Sequence, residues 1–161
     1  MTIYATNGAQ LFIGGALASK SVDFVEGDFT SQSASWVEIG EIENLGNLGD
    51  AAAEVSFDSI SANRTRRLKG TRNAGTMEVV CGIDYEDPGQ LAAMAAEKTI
   101  HDYAFRLVLN DAPPGGAASE RLFVAKVASV VEALDGANNV MKLNLTLWVN
   151  SNVVKIDATG P

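Results

Sequence analysis

Residues 140–149, VMKLNLTLWV, alternate between apolar and polar side chains with a period of two. In an extended segment, successive side chains point to opposite faces, so the apolar residues share one face and the polar residues the other. The pattern therefore predicts a strand with one buried face. Its expected inward residues are Met141, Leu143, Leu145, Leu147 and Val149.

The same alternation recurs along the chain and predicts a mainly β protein. We expect strands at 9–13, 36–43, 52–59, 76–84, 103–109 and 121–131, separated by turns at 44–50, 111–118 and 134–139. Gly46 and Gly49 make 44–50 a turn-forming stretch, so 36–43 and 52–59 are expected to pair as a hairpin. Residues 22–25 are expected either to extend an N-terminal hairpin or to lie as an arm.

One helix is predicted from Pro88 to about Lys98. Asp87 suits the N-cap, Pro88 suits the first helical position, and Gln90 is expected to reach back to the cap. Leu91, Met94 and Ala95 have the spacing of a stripe that docks on a sheet. The elements together predict a single domain, a β-sandwich or flattened barrel with one flanking α-helix. Residues 1–30 and 150–161 are expected to be an N-terminal segment and an extended C-terminal arm.

The chain carries a formal charge of −8, and its charges are unevenly distributed. Five basic residues fall within nine positions that contain no acid: Arg64, Arg66, Arg67, Lys69 and Arg72. Because 61–75 lacks apolar periodicity, the sequence predicts a long exposed loop that presents this basic cluster to a partner. The remainder of the chain is strongly acidic, which argues against nucleic acid as a bound ligand.

Catalytic chemistry finds little support in the sequence. His101 is the only histidine and Cys81 the only cysteine, and Cys81 alternates onto an apolar strand face that favours an inert buried thiol. We predict no metal site and no cofactor. If the protein were an enzyme, the most natural hypothesis would be a glycosidase-like pair of acids drawn from Glu54, Asp58, Glu78 and Asp84. A solvated acidic sheet face is the simpler interpretation of these residues. No apolar run is long enough to span a bilayer, no basic signal region opens the chain, and a lone thiol suits the cytosol.

From about residue 36 to 156 the sequence resembles the major tail tube proteins of long non-contractile-tailed phages, or those of a related gene transfer agent. The resemblance follows the order of WVEIGEI at 36–42, LGNLG at 45–49, AEVSFD at 53–58, LKGTRNAGT at 68–76 and DPGQL at 87–91. Each motif is weak alone, and their order and spacing carry the resemblance.

The resemblance implies that six subunits form a ring whose inner sheets join into one closed barrel. Rings would then stack into a hollow virion tail tube that conducts DNA during ejection, assembled in the host cytoplasm. The expected partners are further copies of the chain and the tape measure, distal tail and tail terminator proteins, without a membrane. Acids facing the lumen would repel DNA, and the candidates are Glu38, Glu54, Asp58, Glu78 and Asp84.

In that setting the basic loop is expected to contact the acidic surface of the next ring. A monomeric acidic β-sandwich that binds a ligand or protein partner is the alternative interpretation. Self-assembly distinguishes the two.

Overall fold

A computed structural model describes residues 2–161 and contains ten strands and one α-helix within that range. The strands are β1 (Gln10–Ala16), β2 (Val37–Ile39), β3 (Ile42–Asn44), β4 (Ala51–Phe57), β5 (Arg66–Asn73), β6 (Thr76–Gly82), β7 (Tyr103–Val108), β8 (Glu120–Ala133), β9 (Lys142–Val149) and β10 (Val154–Ile156). The helix α1 spans Pro88–Glu97, and a 3-10 helix spans Glu26–Gln32. The mainly β class with one flanking α-helix is confirmed. None of the helices in residues 2–161 has the length and apolar character needed to cross a membrane.

The main sheet is antiparallel and runs in the order β2-β1-β7-β8-β9-β6-β3, with β10 added beside β8. Its two end strands, β2 and β3, are separated in the chain only by Gly40 and Glu41. Glu41 has a φ of 57°, a conformation that side-chain-bearing residues seldom adopt, and it turns the chain sharply there. The sheet therefore curls around one core and brings its two edges together at this corner.

The core is formed by the inward residues of six neighbouring strands, each at most 2% exposed: Ile39, Leu11, Phe105, Phe123, Leu145 and Val79. Phe105 and Phe123 stack with ring centroids 5.4 Å apart. The predicted inward alternation is confirmed for Met77, Val79 and Cys81 on β6 and for Leu143 to Val149 on β9. The prediction that Met141 points inward is wrong, because Met141 precedes β9 and is 50% exposed.

The helix begins where it was predicted, but it buries a different face. Asp87 caps it by accepting a hydrogen bond from the backbone N–H of Gln90 at 3.0 Å. The buried residues are Gly89, Gln90, Ala93 and Ala96, whereas Leu91 is 47% exposed and Ala95 is also exposed. The expected stripe is therefore wrong for Leu91 and Ala95, whereas Met94 is partly buried and packs against the core. Small residues face the sheet because the helix lies very close to it: a Cβ at Gly89 would lie 2.0 Å from the carbonyl oxygen of Glu38.

Gln90 does not reach back to the cap as predicted. Its amide nitrogen donates to the carbonyl oxygens of Gly82, at 2.8 Å, and Gly40, at 3.1 Å. Its amide oxygen accepts from the backbone N–H of Asp84 at 3.0 Å. This fully buried side chain thus ties the helix to the ends of β2 and β6 and pairs with three backbone groups there.

The N-terminal region covers the outer face of one half of the sheet. A second apolar cluster joins Phe24 and Phe29, from this region, to Ala104, Leu122 and Val124 on β7 and β8. Residues 22–25 form neither a strand nor a free arm, since the backbone N–H of Phe24 donates to Asn152 at 2.7 Å. The segment expected to extend a hairpin or to lie as an arm is instead folded onto the domain.

The C-terminal segment 150–161 was also expected to be an arm. Instead, β10 pairs antiparallel with β8, and Thr159 forms an isolated bridge with Ala117. Hydrogen bonds of 2.9 and 3.1 Å join these two residues in both directions. In this structure the C-terminal segment completes the subunit's own sheet.

Candidate assembly surfaces

The basic cluster lies on a β-hairpin that stands apart from the main sheet. Strands β4 and β5 pair only with each other and form a separate two-stranded sheet. The predicted pairing of 36–43 with 52–59 is wrong, because β3 pairs with β6 and β4 pairs with β5. The predicted loop 61–75 is also wrong in most of its length, because β5 occupies Arg66–Asn73.

One face of this hairpin is apolar and open to solvent. Val55 lies opposite Leu68, and Phe57 lies opposite Arg66. Val55, Phe57 and Leu68 are 47%, 58% and 63% exposed, and Ile60, in the connection between the strands, is completely exposed. A two-stranded hairpin is at best marginally stable in water, and an uncovered apolar row of this kind marks an interaction surface.

The other face of the hairpin carries most of its charges, whereas Arg66 lies on the apolar face opposite Phe57. Glu54 lies opposite Lys69 in the ladder, and the Nε of Arg67 lies 3.2 Å from a carboxylate oxygen of Glu54. At the base, the Nε of Arg72 donates to Asp50 at 2.7 Å, and this hydrogen bond raises the pKa of the guanidinium. Arg64 lies in the connection between the strands, where it is exposed like Arg66. All five predicted basic residues are therefore on one projecting element.

The five acids predicted to line a lumen do not lie together in the isolated subunit. Glu38 is on β2, where it accepts a hydrogen bond from Gln10 at 3.1 Å, and Glu54 and Asp58 belong to the hairpin. Glu78 is on β6, and Asp84 follows the far end of that strand. All five are exposed. Their common feature is exposure, and the structure distributes them over different elements.

Glu78 lies on a part of the main sheet that no other segment of residues 2–161 covers. We call the outward face of β6, β9 and the second half of β8 the open sheet face. In the ladder Glu78 lies opposite Thr146, and Thr76 lies opposite Trp148. Trp148 and Val131 are each 53% exposed there. This face combines a carboxylate with large apolar groups, and the alternation of the strands was its only sign in the sequence.

The residues considered for catalysis are not arranged for it. Cys81 is fully buried, and burial, followed by the nearby Asp87 carboxylate, raises the pKa of its thiol to about 11. A thiol with that pKa is protonated at neutral pH and is a poor nucleophile. His101 is exposed in the connection after the helix. Among residues 2–161, no group of three or more His, Cys, Asp or Glu side chains is arranged to hold a metal ion.

The fold is that of tail tube subunits. The chain is similar to the SPP1 tail tube, with a TM-score of 0.63 and 15% identity over 92% of this chain and 76% of that one. It is also similar to a chain in the six-fold symmetrised baseplate of the anti-feeding prophage, with a TM-score of 0.69 and 12% identity over 98% and 97% of the two chains. A third similar chain comes from the sheath/tube terminator of the PVC extracellular contractile injection system, with a TM-score of 0.67 and 9% identity over 97% and 98%.

These likenesses lie in the fold and not in the sequence. No family model matches the chain, and no curated protein matches it by sequence. The structural similarity nevertheless covers nearly the whole chain.

Proposed function

We propose that this chain is a structural subunit of a virion tail tube, in which rings of six copies stack into a hollow tube that conducts DNA during ejection. The fold supports the proposal, and a similar chain occurs in an assembly described with six-fold symmetry. The observation that carries it is the hairpin β4–β5, whose apolar face is exposed in the single subunit and requires a cover. The subunit would be made in the host cytoplasm and act in the virion tail.

The hairpin is proposed to make the contact between rings. Its residues 51–73 carry five basic and two acidic side chains, while the whole chain has a charge of −8. Docking on another subunit would bury Val55, Phe57 and Leu68 and place Arg66, which shares their face, against an acidic body. Opposite potentials accelerate encounter and fix the register of an interface, and apolar burial holds it.

The lumen is proposed to be acidic and so to repel the phosphates of passing DNA. The candidates remain Glu38, Glu54, Asp58, Glu78 and Asp84. Glu78 has the strongest support, because it lies on the open sheet face, whereas Glu54 forms an ion pair with Arg67. Six copies of each lumen acid in every ring would give a wall to which a polyanion does not adhere.

Other tail components are proposed partners at the ends of such a tube. The similar chains come from a tube, a baseplate and a sheath/tube terminator. By extension, a tape measure, a distal tail protein and a tail terminator would contact this subunit at the two ends or inside the tube.

Assembly is tested by concentrating the purified protein and examining it by negative-stain electron microscopy. Hollow tubes or six-fold rings are expected. The variant Arg66→Glu/Arg67→Glu should remain folded by circular dichroism and lose stacking, while the control Lys98→Glu makes the same kind of charge reversal at an exposed residue at the end of the helix. Small globules from the wild type after prolonged concentration, even with preformed tail tips added, would contradict the proposal.

Lumen charge is tested separately in virions assembled with the variant Glu78→Lys. Tubes of normal length are expected, with DNA ejection slowed or blocked, because lysines would bind the phosphate backbone. Glu26→Lys, on the 3-10 helix, is the control for a charge change at another exposed acid. Ejection at the wild-type rate from Glu78→Lys virions would show that this face points elsewhere.

A further inference from the structure

A second exposed apolar surface lies at the end of the sheet remote from the hairpin. Tyr85, Leu134, Val140 and Met141 are 57%, 50%, 68% and 50% exposed. They belong to the two connections that leave this end of the sheet, between β6 and α1 and between β8 and β9. We call these four residues and the acids around them the end surface.

Hydrogen bonds hold the two connections side by side. The backbone N–H of Ile83 donates to the carbonyl oxygen of Met141 at 3.1 Å, which extends the β6–β9 ladder beyond Gly82 and Lys142. The backbone N–H of Gly82 donates to Glu41 at 2.8 Å. The corner between β2 and β3 therefore joins the same surface.

The end surface is acidic as well as apolar. Its exposed acids are Glu41 at the corner, Asp84, Glu86 and Asp135 in the two connections, and Glu132 near the end of β8. The nearest lysine in the ladder, Lys142, is 2.8 Å from a carboxylate oxygen of Glu43 and is thus already paired. The hairpin is also apolar but has the opposite charge, because Arg66 lies on its apolar face and the hairpin as a whole is net positive. The two surfaces are complementary in polarity and in charge.

The two surfaces are at opposite ends of the subunit and cannot meet within one chain. The hairpin is connected to the first residue of β6, because β5 ends at Asn73 and β6 begins at Thr76. Between them, the carbonyl oxygen of Gly75 accepts a hydrogen bond from the backbone N–H of Val149 at 3.0 Å. The end surface begins where β6 ends, at Gly82. Seven residues of strand separate them, roughly 20 Å.

We infer that the end surface is the acceptor for the hairpin of a second copy of this chain. The contact joins different surfaces of two copies, so each copy has one donor and one acceptor and the association propagates along an axis. This inference rests on the proposed function and assigns the partner surface of the hairpin. Lumen charge and the number of subunits in a ring do not enter it.

Cross-linking tests the contact directly, whether or not tubes form. The variant Ser61→Cys/Asn139→Cys places one thiol on the hairpin connection and one beside Val140, both at exposed polar residues. The native Cys81 is buried and does not react. With a short bismaleimide linker, concentrated protein should give a ladder of dimers, trimers and higher oligomers on a denaturing gel. The control Ser61→Cys/Thr76→Cys, with the second thiol at the hairpin end of β6, should give no ladder.

Charge exchange provides the second test. Glu86→Lys/Asp135→Lys and Arg66→Glu/Arg67→Glu should each abolish the ladder, and the variant with all four changes should restore it. A ladder of wild-type intensity from Glu86→Lys/Asp135→Lys would overturn the inference. A ladder without hollow tubes would support the contact and contradict the proposed function. Hollow tubes without a ladder would support the proposed function and contradict the contact.

Discussion

The main sheet buries apolar side chains within the subunit, whereas the hairpin β4–β5 leaves its apolar side chains exposed. Strands β1, β2, β6, β7, β8 and β9 of the main sheet bury inward residues, and Phe123 and Leu145 are at most 1% exposed. Every residue of β4 is exposed, although β4 carries Val55 and Phe57. The main sheet is thus complete within one subunit, and the hairpin is not.

This difference separates folding from assembly. Residues of the core contribute to the free energy of unfolding of the single chain, since their apolar area is removed from water when that chain folds. Residues of the hairpin remove their area from water only when a second surface covers them. We therefore expect substitutions in the two regions to change different measurements, and the predictions below are ordered by their expected effect on the stability of the isolated chain.

The largest loss is expected for Phe123→Ala. Phe123 is fully buried and stacks on Phe105, so truncation removes apolar contacts and leaves a cavity. We expect unfolding in urea to show a loss of about 3–5 kcal/mol. Phe57→Ala makes the same chemical change at an exposed site and serves as the matched control. Equal losses for the two variants would show that the hairpin is packed in the free subunit.

A smaller loss is expected for Gly89→Ala at the start of the helix. The new Cβ would lie 2.0 Å from the carbonyl oxygen of Glu38 and 2.5 Å from the Cα of Ile39, so the helix or β2 must shift. Overpacking of this kind costs about 1–3 kcal/mol, which urea unfolding would measure. Gly27→Ala is the control, because nothing lies within 4 Å of its Cβ position. A fully stable Gly89→Ala variant would mean that the helix has room to move away from the sheet.

The sequence predicted the parts of the molecule that depend on local patterns. Alternation identified β6 and β9, and the Asp87-Pro88 pair identified the start of the helix. Sequence patterns failed to predict features that depend on contacts between segments distant in the chain. The buried face of the helix is set by the close approach of β2 at Gly89, which periodicity within the helix does not reveal.

The hairpin was missed for a related reason. Residues 66–73, RRLKGTRN, have almost no apolar alternation, because neither face of β5 is buried in the subunit. A strand that pairs along one edge and exposes both faces therefore resembles a loop in sequence. The residues of the candidate site were found through their charge, but their arrangement on an element and the acidic end surface required the three-dimensional structure.

The pH dependence of stability is expected to include a contribution from Asp111. Its carboxylate accepts hydrogen bonds from the backbone N–H, at 2.8 Å, and the hydroxyl of Ser119, and these bonds lower the pKa of Asp111 below its ordinary value. Because the folded pKa is lower than the unfolded one, this stabilisation is present above about pH 4 and is lost as pH falls through the folded pKa.

Urea unfolding between pH 2 and pH 7 would measure this contribution. Asp111→Asn should weaken the acid-induced loss of stability, whereas Asp157→Asn, at an exposed residue of the C-terminal segment, should leave it unchanged. An unaltered acid dependence in Asp111→Asn would exclude Asp111 as a source of it.

The smallest effect on the isolated chain is expected for Phe57→Ser. The ring is 58% exposed and sits on a strand that pairs only with β5, so the free energy of unfolding should change by less than about 0.5 kcal/mol. Assembly should nevertheless be lost, because the variant replaces the largest apolar group on the hairpin face with a hydroxyl. Urea unfolding and sedimentation of the concentrated protein measure the two quantities on the same sample. Ser56→Ala, the neighbouring change on the opposite face, should leave both unchanged. A Phe57→Ser variant that sediments like the wild type would place the assembly surface elsewhere, and then the exposure of the hairpin would need another explanation than a partner.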